Sequence, residues 1–142
     1  TSSAAAAVGV PAVIAEAGGC GLLEDEAVRL LAHGVGGALR RLGMLPGEPR
    51  PPRADLLSVG RFVWLRSANE GWWEPAVRTG QEVAASALLG TVKNLYGDAV
   101  EEIRAPEDGV PLFITSSPAV AADGLLLGLG ADLAPLPADV RE

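Results

Sequence analysis

Between Pro46 and Arg53 the chain reads P-G-E-P-R-P-P-R, and no regular element survives such a stretch. Proline lacks the amide proton that a helix interior or a central strand must donate, and its ring fixes φ. The 142 residues therefore divide into two parts that fold by different rules. We place a connector at 46–56, a strand-and-helix portion at 1–45, a β portion at 57–131 and a tail at 132–142, charged at its end and loosely ordered.

The portion before the break is helical in period. Val28, Leu31, Val35, Ala38, Leu39 and Leu42 recur at three- and four-residue spacing, predicting a helix from about Asp25 to Leu42 with one core-facing stripe. Glu24, Asp25 and Glu26 put negative charge at its start, and Arg40 and Arg41 put positive charge in its last turn. Gly43 is placed to cap it. Gly34, Gly36 and Gly37 should each cost about 1 kcal/mol against alanine. That predicts close packing of the helix backbone on a neighbouring sheet. Upstream, Ala4 to Val8 followed by Gly9 and Pro11 reads as the closing turn of another helix. Since the chain opens on Thr1 rather than Met, the rest of that helix is expected to lie in a preceding segment.

Between the two helices, Ala12 to Ala15 is short, apolar and partly β-branched, which predicts a buried strand. Glu16 stands at its far end, with Gly18, Gly19 and Gly21 following. A carboxylate at the edge of a buried strand is costly unless it is paired, hydrogen-bonded or facing a cavity. The carboxyl ends of strands are also where open α/β sheets build ligand sites. Glu16 is thus either a site carboxylate or a residue that turns to water as the strand ends.

After the break come short apolar runs separated by turn residues. The expected strands are Gly60 to Ser67, Gly71 to Val77, Leu88 to Lys93, Val100 to Arg104, Val110 to Ser116 and Leu125 to Leu129. A repeat runs through them: Val83-Ala84-Ala85-Ser86-Ala87-Leu88-Leu89 resembles Val120-Ala121-Ala122-Asp123-Gly124-Leu125-Leu126, 37 residues on. Each copy follows an acidic-glycine turn, Glu70-Gly71 or Asp108-Gly109. The pairing predicts two related halves in a small barrel or sandwich.

Several chemistries are excluded. Eleven Lys and Arg against eighteen Asp and Glu leave a charge of −7, the wrong sign for a nucleic-acid surface. No apolar run is long enough to cross a bilayer. The single Cys20 cannot form an internal disulfide, which fits a reducing, cytoplasmic setting. His33 is the only histidine and lies inside the predicted helix with no His or Glu at i+3 or i+4, so it reads as structural or solvent-facing rather than a zinc ligand. No serine sits on a nucleophile elbow to use it in a Ser-His-Asp arrangement. Trp64 and one of Trp72 and Trp73 are expected to fill the β core while the other covers its rim. Trp72 and Arg66 are the candidates for contact with a substrate, arginine because its fork matches a carboxylate.

The order of these features resembles the C-terminal part of the succinylglutamate desuccinylase/aspartoacylase family, which has a zinc carboxypeptidase-like fold. The resemblance rests on G-V-P-A-V-I-A-E-A-G-G from Gly9, L-R-R-L-G-M-L from Leu39, L-L-G-T-V-K-N-L-Y-G-D from Leu88 and R-A-P-E-D-G-V from Arg104. It implies an α+β fold: the closing strand-helix piece of an α/β catalytic domain, then a small all-β barrel-sandwich similar to lipoyl domains. It also implies hydrolysis of an N-acylated amino acid or related small amine. By position in E-x-G-G, Glu16 corresponds to the general base that takes a proton from water and passes it to the leaving nitrogen. The family's zinc ligands, an H-x-x-E pair and a later histidine, have no counterpart in this chain. Zinc and most of the substrate contacts are therefore expected on a missing N-terminal part, and this chain alone is expected to be inactive. Association through an exposed sheet edge is a further expectation. The rival reading is a non-enzymatic docking module, with Glu16 paired to a local arginine.

Overall fold

A computed structural model describes residues 2–51 and 56–136, and the chain divides into two compact units, Thr1–Pro51 and Pro52–Glu142. The end of the expected tail, 137–142, lies outside the described residues.

The first unit holds α1 (Ser2–Ala7) and α2 (Asp25–Arg41). Both close with a glycine in the left-handed region, Gly9 at φ +76° and Gly43 at φ +70°. The hydrogen bonding is the same at each end. Gly9 N–H donates to Ala6 and Val10 N–H to Ala5, and Gly43 N–H donates to Arg40 and Met44 N–H to Leu39. These paired bonds satisfy the last helical carbonyls as expected from the glycine positions.

Two expectations for this unit are corrected. Residues 11–17, expected to include a buried strand, form no ladder, and Val13 is 91% exposed. A strand exists only against a partner, and no strand is described in this unit. The apolar stripe of α2 is likewise uncovered: the helix has no buried residue, and Val28, Val35 and Leu42 are exposed. Nothing approaches the Cβ positions of Gly34 and Gly37, so the close helix–sheet packing predicted from the glycines is not made by the described residues.

The second unit is all-β, with β1 (Leu57–Arg66), β2 (Gly71–Pro75), β3 (Leu88–Lys93), β4 (Ala99–Arg104), β5 (Val110–Ile114), β6 (Ala119–Val120) and β7 (Leu125–Pro135). They form two antiparallel sheets, ordered β1-β7-β5 and β4-β3-β2-β6. Strand β7 runs well past the expected Leu129 because its second half keeps β1 as partner, from Arg61↔Ala131 to Leu57↔Pro135. The shared core is built on Trp73, Leu89, Val92, Leu126, Leu127 and Leu129.

The repeat is a structural duplication. Strands β1, β2 and β3 correspond to β4, β5 and β7, and each half lends its first strand to the other half's sheet. Gly71 pairs with Val120, and Gly109 pairs with Val83. The turns Ala84–Ala87 and Ala121–Gly124 each close with an i+3 hydrogen bond, and Ser86 and Asp123 take φ of 67° and 62° at matching positions. Ser86 N–H donates to Ala105 O while Ala105 N–H donates to Ala87 O, and Asp123 N–H donates to Ser67 O while Ser67 N–H donates to Gly124 O. One backbone design is used twice.

Candidate functional site

In the first unit, Glu16 is exposed and makes no ion pair with a described residue. The loop after it is shaped by three left-handed residues, Gly18 (φ +78°), Cys20 (φ 55°) and Gly21 (φ +70°). Leu22 N–H donates to Gly19 O at 3.0 Å, closing the turn. Gly18 is held against the start of α2: a Cβ there would lie 3.1 Å from Glu24 Oε2 and 3.2 Å from Ala27 Cβ. Conformation and contact both favour glycine at this position. The loop thus folds back onto the first turn of α2, and Glu16 before it is exposed.

In the second unit, Arg66 is already in use. Its Nη1 donates to the Asp123 carbonyl at 2.7 Å, just as Arg104 Nη1 donates to the Ser86 carbonyl at 2.9 Å. Each arginine holds the left-handed turn residue of the other half. Trp73 fills the core at 2% exposure, while Trp72 is 49% exposed on the other side of its sheet. Trp64, expected in the core, is 57% exposed and packs beside Phe62 and Phe113, with ring centroids 4.5 and 5.6 Å away. Side chains alternate along a strand, and here Val63 and Leu65 take the inward positions.

Glu101, which the sequence did not single out, organises the loop between β1 and β2. Ala68 N–H donates to both of its oxygens at 3.1 and 3.0 Å, and the Asn69 N–H and Nδ2 donate to Oε2 at 3.1 and 3.2 Å. The Ser67 hydroxyl lies 3.1 Å from the same oxygen. Burial works to raise the carboxyl's pKa, but the bonds from Ala68, Asn69 and Ser67 outweigh it and hold the group below its ordinary value.

Among the described residues no three His, Cys, Asp or Glu side chains converge into a metal-holding group. The described residues of this chain do not fit a zinc site by themselves. Nor is any described helix long and apolar enough to cross a membrane.

No protein-family model matches the sequence, and no curated protein does. Solved structures do match. The succinylglutamate desuccinylase/aspartoacylase from Rhodobacter sphaeroides superposes with a TM-score of 0.77 over 95% of this chain at 20% identity. The chain shares the succinylglutamate desuccinylase/aspartoacylase fold. The product-bound ectoine utilization protein EutE (DoeB) from Ruegeria pomeroyi gives a TM-score of 0.81 over 91% of the chain at 23% identity. A succinylglutamate desuccinylase from Silicibacter sp. TM1040 gives 0.74 over 90%, also at 23% identity. The chain spans 43%, 40% and 40% of these three neighbours, which fits a C-terminal portion of the desuccinylase/aspartoacylase fold.

Proposed function

We propose that this chain is the C-terminal portion of a zinc-dependent deacylase that hydrolyses an N-acylated amino acid or related small amine. The observation that carries the reading is Glu16 itself. Its carboxylate stands exposed at the mouth of a glycine loop folded onto α2, in a chain with the desuccinylase/aspartoacylase fold. In this role Glu16 accepts a proton from the attacking water and delivers it to the departing nitrogen. The metal would supply Lewis-acid polarisation of the scissile carbonyl, from ligands that this chain does not carry. The fragment alone is accordingly inactive, and the intact protein works in the cytoplasm.

The second unit, in this reading, is a barrel-sandwich of lipoyl type. Its support is the crosswise duplication, in which each half completes the other's sheet. The rival docking-module reading requires Glu16 in an ion pair with a local arginine, and Glu16 has no such partner among the described residues.

The test is the mass and zinc content of the full-length gene product, followed by hydrolysis of a panel of N-acyl amino acids. The expected result is a chain much longer than 142 residues with about one zinc and measurable amide hydrolysis. A product of only these residues, metal-free and inactive, would overturn the deacylase reading.

A further inference from the structure

Trp72 and Lys93 face each other across β2 and β3. Their neighbours Trp73 and Val92 point into the core, so this pair lies on the opposite face of the sheet. Two residues beyond Trp72, the Glu74 carboxylate accepts from Lys93 Nζ at 2.6 Å. Together with Asn94, Leu95 and Gly97 of the β3–β4 hairpin, these side chains line a hollow of about 350 Å³.

The wall of the hollow is preformed. Asn94 Oδ1 accepts from the Tyr96 and Asp98 amides at 2.9 and 3.0 Å, and Asn94 N–H donates to Asp98 O at 2.9 Å. Leu95, at the hairpin tip, remains 97% exposed.

The scaffold does not require this chemistry. In the duplicated half, the position of the Trp72–Lys93 pair is held by Val110 and Gly130 in the same register. That half keeps the strands with neither an aromatic ring nor a charge at the pair. The Lys93 and Glu74 side chains are also 32% and 51% exposed, and ion pairs at such exposure contribute little to stability. Each charge is free to exchange its partner for a ligand of opposite sign.

A ligand that satisfies both at once must carry a carboxylate and an ammonium close together, with an apolar part for the indole. We propose that this hollow binds a free α-amino acid with an apolar side chain, its carboxylate on Lys93, its ammonium on Glu74 and its side chain against Trp72 and Leu95. An N-acylated amino acid brings the carboxylate without the ammonium and meets the Glu74 charge unpaired. The site therefore selects the free amine over its acylated form. The inference concerns the β unit alone and does not depend on the deacylase reading.

The experiment is titration of the whole chain with L-leucine and, separately, with N-acetyl-L-leucine, followed by calorimetry and by tryptophan fluorescence. Leucine should bind saturably and at least about ten-fold more tightly than its acetylated form, the scale of one charge-assisted hydrogen bond. Lys93→Met and Glu74→Gln should each weaken leucine binding by a similar factor. Trp72→Phe should remove the fluorescence change, whereas Trp64→Phe should keep it. Unchanged circular dichroism and melting would show that the variants fold. Absence of saturable leucine binding would overturn the proposal. So would equal binding of N-acetyl-L-leucine, or a fluorescence response that survives Trp72→Phe.

Discussion

Glu101 shows how one carboxylate can hold a loop in a chain of strongly negative charge. Its pKa is held below the ordinary 4.5 because hydrogen bonds from Ala68, Asn69 and Ser67 outweigh the opposing effect of burial. A carboxyl with a depressed folded pKa contributes stability that is complete above its unfolded value and disappears as pH falls through the folded value. The melting temperature of the wild-type chain should therefore fall more steeply below about pH 4.5 than that of Glu101→Gln, as thermal denaturation across pH 2–6 would show. The tryptophans make a different point at this scale. Trp73 is buried without an acceptor for its indole N–H among the described residues, so packing alone holds the ring. Trp73→Ala should cost about 3–5 kcal/mol in urea unfolding, and Trp64→Ala, on the open face, much less. That one of the adjacent tryptophans is inside and the other outside was legible, because strand alternation requires it. Which way Trp64 pointed was not: Val63 and Leu65 satisfy the inward positions equally well.

At the scale of elements, the two acidic-glycine turns share one cause. A Cβ on Gly71 would strike the Lys93 carbonyl and the Val92 side chain, and a Cβ on Gly109 would strike the Gly130 carbonyl and the Leu129 side chain. Those obstacles are themselves equivalent residues of β3 and β7. Gly71→Ala and Gly109→Ala should each destabilise the β unit by about 1–3 kcal/mol, the scale of overpacking, and urea midpoints would compare the two. These glycines and the matched Ala-Ala turns made the duplication legible in the sequence. The first block of the match was harder to see. Leu65-Arg66-Ser67 aligns with Ile103-Arg104-Ala105, but the spacing there is 38 residues rather than 37, so the two blocks do not fall into a single repeat. Helix ends were legible for a local reason. A left-handed glycine after a helix is required by backbone sterics and needs no tertiary partner. Strand β3 was found at its observed limits, and β6 was missed because two residues carry no period.

At the scale of the whole molecule, the sequence shows prolines that forbid both regular elements at 46–53, with a different texture on either side. It overstated the first part. The apolar, β-branched run at 12–15 and the stripe on α2 were read as buried, because their composition is that of buried segments. Burial, however, is a property of a partner, and the described residues of the first unit provide no sheet for either. Glu16 was legible as a candidate from its place before the glycines, and the loop that follows it holds the left-handed residues Gly18, Cys20 and Gly21. The second unit carries the hydrophobic core and should retain cooperative unfolding whatever is done to Glu16.

The central claim is that Glu16 moves the proton in a deacylase. Its most direct measurement is kcat for N-acyl amino acid hydrolysis by the intact protein and by its Glu16→Gln variant, with zinc quantified in both. The account predicts equal zinc content and a loss of about 100-fold or more in kcat, the usual contribution of a positioned general base. Turnover in Glu16→Gln equal to the wild type would contradict it.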